Sequence, residues 1–435
     1  MNIKSVILFL SILLYSNVSF CQDGYMIFRD SEVEAVIKKI AFPIFIAAKI
    51  NPETVRVFIV NDKMVNAYVD GNNNDVFLNY GLFEFSNDPS VLIGVLAHEV
   101  GHISQKHVLF RRSKVQNSMI LSGIGYVLGI ITAITVNPDM GQAIALATND
   151  ISKKMFFLYS RLQEASADQC ALRYLDEAGY SNDGLIKMFK HFYSLEAQYR
   201  GNIDQYLLSH PLSYDRLLQI QNYRNRNEVH GFSDEDVQKF KRVVEKINAF
   251  FNPVERLVND KNDINQLSPY IQSIIFYKQS DVSKALEKLD NLILQSPEDP
   301  YLYELKAQIL YKAGDIKKSV ENYKLALKFS FDDVLIKLET SQALLLYDQK
   351  EAVNYLEQVT YQEPDNVFAW KQLAVAYGKI GDLGMSYFSL ANKSFFENNR
   401  RDFDKYFSLA RKYLPKDSVH LERMRDLRIN LLSNT

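Results

Sequence analysis

From Ser31 to Ile50 apolar residues recur at helical spacing, with Ser31 placed to cap the helix and Glu32 and Glu34 in its first turn. Pro43 falls inside this run and is expected to kink or divide it. The period then changes. TVRVFIV (Thr54 to Val60) and DVFLNY (Asp75 to Tyr80) are β-branched and aromatic runs bounded by Asn, Asp and Gly, which predicts strands; NAYVDGNNND between them predicts a short strand and a turn. Pro89 to Val108 returns to helical spacing. Ser118 to Val136 is nineteen residues without a charge, just long enough to cross a bilayer. Its glycines and the second apolar stretch that follows, GQAIALAT, point instead to a buried helical hairpin, with a membrane span and a membrane-surface contact as the other readings. Ile151 to about Asn225 reads as helix broken by GYSNDG and SHPLSYD, and NRNEVHGFSDED reads as the start of a linker.

Beyond the linker every element reads as a short helix, and the pattern repeats. Pro297, Tyr303, Ala307, Gly314 and Asp315 recur as Pro364, Trp370, Ala374, Gly381 and Asp382, all at one offset of 67 residues. That offset is close to twice 34, with a more degenerate copy between (Ala343, Ala352, Tyr355) and another upstream around Ser268 to Gln295. An aromatic early in the first helix, a Gly-Asp turn and a Pro after the second helix resemble the tetratricopeptide repeat. Each such hairpin has an apolar face that only its neighbours can cover, so stacking gives a solenoid with a concave binding side.

Composition narrows the function. The chain has 435 residues, 47% hydrophobic and 23% charged, with a net charge of −2. This is ordinary globular material for two or three domains, and no basic cluster interleaved with aromatics suggests nucleic acid. The N-terminus reads as a secretory signal: a basic start to Lys4, an apolar run from Ser5 to Tyr15, then NVSFCQ. Ser19 and Cys21 offer small residues for cleavage after Cys21; lipidation of Cys21 is the rival reading and would need a small residue where Phe20 stands. Cleavage would leave Cys170 as the sole cysteine, without a disulfide partner.

The candidate chemistry lies in VLIGVLAHEVGHISQKH, residues 91–107. His98 and His102 are four residues apart on a helix, about 40° different in direction, so both rings can reach one metal ion. Glu99 beside them can take a proton from a metal-activated water and deliver it to a leaving amine. A catalytic zinc takes three protein ligands and keeps one position open. His107, nine residues after His98, points to the opposite face, and the spacing departs from the longer zincin motif. His191, His210 and Glu164 remain as candidates. Glu164 stands in YSRLQEASADQCALRYL, among small residues (Ala165, Ser166, Ala167, Ala171) that let two helices approach. Asp168, one turn on, is placed to accept a hydrogen bond from the second nitrogen of a ligating histidine. A solvated helix face is the alternative reading of that pair.

NAYVDGNNNDVFLNYGLFEF, VLIGVLAHEVGHISQKH, SRLQEASADQCALRYL and SHPLSYDRL, in this order, resemble the zinc endopeptidase family that includes the CAAX prenyl protease and the bacterial heat-shock membrane protease. The likeness spans roughly Ser31 to Tyr223. It implies His98, His102 and Glu164 as the ligands of one Zn²⁺ per chain and Glu99 as general base. It also implies a substrate-pairing edge strand at Asn66, Ala67 and Tyr68, and roles near the metal for His210 and Arg216. His210 would either donate to the tetrahedral intermediate or occupy the open position and hold the enzyme latent. The family's glycine pair after Asn-Ala-aromatic is replaced here by Asp70, Gly71 and asparagines, which puts the shape of that loop in doubt.

The expectation is therefore a mainly α protein. A signal peptide (1–21) precedes a zincin-like α+β metalloprotease domain (22–225), a linker (226–265) and an α-helical tetratricopeptide solenoid (266–435). The resemblance is strongest to the periplasmic chaperone-protease branch. It implies an exported, periplasmic endopeptidase, with membrane association through Ser118–Ala147 as one option. That enzyme would degrade unfolded or misassembled envelope proteins, with the repeats docking outer-membrane assembly machinery. The alternative is a chaperone or assembly factor whose protease site is plugged by His210.

Overall fold

Alternation along the strands sets the floor of the first unit. In Val57–Val60 (β3) and Asp75–Asn79 (β5), Val57, Ile59, Val76 and Leu78 are buried on one face, while Phe58 and Phe77 face the other way. The computed structural model describes residues 18–20, 26–70, 74–105, 161–198, 214–258 and 263–433. β3 and β5 run parallel with Ile59 opposite Leu78, and Ala67–Asp70 (β4) returns antiparallel to β5 with Tyr68 opposite Phe77. With Val18–Phe20 (β1) and Met26–Phe28 (β2) the sheet has the order β1-β2-β3-β5-β4, which leaves β4 at one edge. β1 lies inside the stretch expected to be a signal peptide. Cleavage after Cys21 would remove it and make β2 the other edge.

Helices cover the apolar face. Ser31–Ala47 (α1) buries Val33, Ile37, Ile40, Ile44 and Phe45, each worth about 1.5–3 kcal/mol when withdrawn from water. Its cap is Asp30 rather than Ser31, the Asp30 carboxylate accepting from the Val33 N–H at 3.0 Å, and Pro43 sits inside an undivided helix. The other described helices of the unit are Tyr80–Phe85 (α2), Pro89–Ser104 (α3), 161–177 (α4), Asp183–Gln198 (α5), Tyr214–Asn222 (α6) and Asp234–Phe251 (α7).

The expected linker, 226–265, differs from what the structure has. α7 is a helix of eighteen residues that buries Phe240, Val243, Val244 and Ile247 in the core of the first unit. Its apolar positions follow helical spacing behind a polar first turn, Asp234–Asp236, that made the region look like linker. The chain divides later, into one compact unit of residues 17–252 and another of residues 253–435. A buried ion cluster fixes α7 to the start of α1: the Lys246 ammonium lies 2.7 Å from Asp30 and 3.1 Å from Glu32, and Arg242 also bonds Glu32.

The second unit is built of helix pairs. Pro269–Lys278 and Val282–Gln295, Pro300–Lys312 and Ile316–Phe329, Val334–Leu344 and Gln349–Gln362, Val367–Lys379 and Leu383–Phe396, and Arg400–Tyr413 and Val419–Ser433 follow in order. The 67-residue offset recurs in the bonds. Tyr303 and Trp370 each donate to the carbonyl of a proline, Pro297 and Pro364, at 2.9 and 2.7 Å. Ser319 and Ser386 each donate to an alanine carbonyl, Ala307 and Ala374, at 2.8 Å. Gly314 and Gly381 adopt φ of 87° and 86° directly before the capping residues Asp315 and Asp382. A mainly helical chain with a small sheet in its first unit and a helical repeat array in its second is thus the observed fold class.

Candidate metal centre

Three helices bring the site together. α3 is apolar nearly throughout, so it runs buried, and His98, Glu99 and His102 are buried with it. α4 crosses it at close range because Gly101 has no side chain. A Cβ there would stand 2.8 Å from the Ala167 carbonyl and 3.3 Å from the Cys170 Cβ. Ala167 and Ala171, read from the sequence as small packing residues, are fully buried on α4. Gly94 performs the same service against Leu185 of α5. The glycines were the partners that sequence reading missed; their signal was spacing, since Gly94 and Gly101 lie seven residues apart on one face of α3.

The crossing sets the donor atoms at short range. His98 Nε2 lies 3.1 Å from His102 Nε2 and 3.3 Å from Glu164 Oε2, and His102 Nε2 lies 3.5 Å from Glu164 Oε1. Ligands at zinc bond lengths of about 2.0–2.1 Å in a tetrahedron stand about 3.3 Å apart. The two imidazole nitrogens stand at about that separation, and each faces a different oxygen of Glu164 at 3.3 and 3.5 Å, so with one donor atom from each residue all lying within 4.8 Å of one another the three side chains can share a single cation. Among the described residues, His98, His102 and Glu164 are the group whose donor atoms converge in this way.

A charged support lies behind the donors. Asp168 Oδ1 is 2.9 Å from His98 Nδ1, on the side of the ring away from the other donors. Arg216 of α6 grips Asp168 through two bonds of 2.6 and 2.9 Å and reaches Glu164 Oε2 at 3.3 Å. Its guanidinium also lies over the Phe189 ring at 5.0 Å. Burial favours a charged Asp168 least, yet the Arg216 charge and hydrogen bonds hold its carboxyl below the usual range. Burial likewise opposes a charged His98, but hydrogen bonds to Asp168 and Glu164 outweigh it and push the ring up to about 10. Two buried carboxylates sharing one guanidinium draw positive charge to this ring, and a divalent ion held by His98, His102 and Glu164 would supply that charge in place of a proton.

Other sequence candidates fall elsewhere. His191 of α5 lies against Phe85, ring centroids 4.2 Å apart, and is outside the converging group. Ala67 and Tyr68 lie on edge strand β4, which packs beside α3, and Asn66 immediately precedes it, its carbonyl accepting from the Asn79 N–H at 3.0 Å. Tyr68 stacks on Phe77, centroids 4.9 Å apart. His107, His210 and Ser118–Ala147 lie outside the described residues. Among the described residues, no helix is long and apolar enough to cross a membrane.

A buried HExxH helix crossed by a second helix that brings a glutamate to the same point defines a metalloprotease. Residues 28–224, most of the first unit, match the profile of peptidase family M48, and the His-His-Glu group lies inside the matched stretch. The chain is 25% identical over 333 residues to the Beta-barrel assembly-enhancing protease of Escherichia coli (strain K12), covering 75% of this chain and 68% of the relative. The protein of that name from Yersinia pestis is 23% identical over 332 residues, covering 74% of this chain and 68% of the relative. Metalloprotease YcaL of Escherichia coli (strain K12) is 28% identical over 170 residues, 39% of this chain and 61% of the relative. The first two alignments are longer than the catalytic unit and so take in part of the repeats as well.

Proposed function

We propose that this chain is a zinc-dependent endopeptidase of the cell envelope that acts on unfolded or misassembled outer-membrane proteins, with the repeats docking the assembly machinery. The observation that carries the chemistry is the donor spacing of 3.1, 3.3 and 3.5 Å among His98, His102 and Glu164. The names of the relatives support the assembly role, and the signal-like N-terminus supports export to the periplasm. His98, His102 and Glu164 would hold one zinc ion. Bound there, zinc supplies Lewis acidity toward a scissile carbonyl and lowers the pKa of water.

The chain's own residues do the rest. Glu99, next to His98 on the buried helix, is the general base: its carboxylate takes the proton of the attacking water and returns it to the departing amide nitrogen. Asp168 fixes the His98 ring through Nδ1, so that Nε2 faces the other donors. Arg216 is a positioning residue, holding Asp168 and Glu164 together. β4 ends the strand order beside α3, and there an extended substrate can add as a further strand.

The test is zinc analysis together with cleavage of a denatured casein-type substrate. Wild type and Glu99→Gln are both expected to hold about one zinc per chain. Cleavage by Glu99→Gln should fall by roughly a hundredfold to ten-thousandfold. A Glu99→Gln protein that keeps its zinc and cleaves as fast as wild type would overturn the assignment.

A further inference from the structure

Charge is distributed unevenly along the second unit. Residues 253–399 carry sixteen Lys and Arg against twenty-one Asp and Glu, whereas residues 400–435 carry nine against five. The kind of cation changes as well. One of the sixteen is Arg in the first stretch, and six of the nine are Arg in the second. Keeping an exposed helix pair soluble calls for charge but for neither sign, and it gives no reason to exchange Lys for Arg. Guanidinium groups are the better match to phosphate and carboxylate oxygens.

Ion pairing is denser in the earlier pairs, although Lys312, Lys317, Lys328, Lys350 and Lys371 there are exposed without an ion pair among the described residues. Many lysines of the earlier pairs are spent on neighbours: Lys284 on Asp281, Lys306 on Asp290, Lys318 on Asp315, Lys324 on Glu351 and Lys393 on Glu397, at 2.5–2.8 Å. In the last pair Arg400 and Arg428 share Asp404 at 3.9 and 2.7 Å. Arg401, Arg411, Lys412, Lys416 and Arg425 are exposed and form no ion pair among the described residues. Arg401, Lys405, Ser408 and Lys412 recur at helical spacing, so they form one exposed stripe along Arg400–Tyr413. The stripe runs toward exposed apolar side chains, Tyr413 (53% exposed) and Val419 (74%).

We propose that this cationic face of the last helix pair docks the protein on an anionic membrane surface through the phosphate groups of its lipids. A stripe of cations on the outer side of a helix meets a flat charged surface all at once, and Tyr413 and Val419 are side chains that enter the headgroup layer. An acidic polypeptide offers the same charge but gives the apolar flank nothing to enter. The proposal stands independently of the peptidase reading.

The test is co-sedimentation of the full-length protein with vesicles of phosphatidylcholine alone and of phosphatidylcholine mixed with phosphatidylglycerol. Binding is expected to the mixed vesicles only and to be abolished by high salt. Arg401→Gln, Lys405→Gln, Arg411→Gln and Lys412→Gln combined should weaken it by about fivefold per cation removed, with casein cleavage unchanged. Lys284→Gln, Lys318→Gln and Lys324→Gln combined, which remove paired cations, should bind like wild type. Equal binding to both vesicle types, or binding that survives high salt, would assign membrane contact to an apolar segment and overturn the proposal. So would equal losses in the two variant sets, or capture by soluble polyglutamate with no binding to mixed vesicles.

Discussion

The two units hold themselves together by opposite means. In the second, recurrent devices are local and copied: the Ser319–Ala307 bond reappears as Ser386–Ala374, and Gly314 reappears as Gly381. In the first, the charged devices that tie its helices together each occur once and join distant parts of the chain. Lys246 reaches Asp30 across 216 residues and Arg216 reaches Asp168 across 48. A copied device can be lost at one place while its neighbours still stand. A unique one cannot, and the metal centre is made only of unique ones.

Lys246→Met tests that contrast most severely. It leaves Asp30 and Glu32 buried with Arg242 as the remaining cation of the cluster. Removing one partner of a buried ion group costs about 3–5 kcal/mol. Chemical denaturation should show the first transition moved to lower denaturant with the repeat transition unmoved. Parallel shifts of both transitions would mean that the units do not melt separately.

Gly101→Ala acts at the helix crossing that brings the metal donors together. The new methyl meets the backbone of Ala167 rather than a side chain that can turn aside, so α4 must shift or the crossing must open. Overpacking of this kind costs roughly 1–3 kcal/mol. Because Glu164 sits on α4, zinc retention on dialysis against a chelator should fall more than stability does. Retention equal to wild type would show that the crossing tolerates the shift.

Asp168→Asn separates charge from shape. Asp168 is held below its ordinary carboxylate pKa, so it contributes stability above the unfolded value of about 3.9 and loses it as pH falls through the lower, folded value. Near neutral pH the variant should be less stable by about 2 kcal/mol, the scale of a charge-assisted hydrogen bond. The two stability curves should converge in acid. A constant gap down to the acid transition would mean that the pairing with Arg216 is not what Asp168 contributes.

What was legible in the sequence follows the same division. The repeats could be read because their period, Gly-Asp turns and small residues are written within each copy. His98 and His102 could be read because four residues of helix fix their relation. Glu164 needed the resemblance, since spacing left His191 and His210 equally available. α7 was mistaken for linker because its destination, Asp30 and Glu32, is more than two hundred residues away. Gly94 and Gly101 went unread because their seven-residue spacing places them on one face but does not say which helix fills the gap.

The gentlest test exploits the copies. Gly314 has φ of 87° with open space where a Cβ would go, so Gly314→Ala costs backbone strain alone, about 1 kcal/mol. Two corresponding turns already carry the strain: Ser280, before the cap Asp281, at φ 64° and Asn398, before the cap Asn399, at φ 54°. Ser280→Gly should therefore raise the stability of the second unit, by less than about 1 kcal/mol because glycine also loosens the unfolded chain. Asn398→Gly should gain less than Ser280→Gly, since Asn tolerates the left-handed region better than Ser. If Gly314→Ala and Ser280→Gly shift the repeat transition in the same direction, the turns are not equivalent, and the repeats would be copies in sequence without being copies in energy.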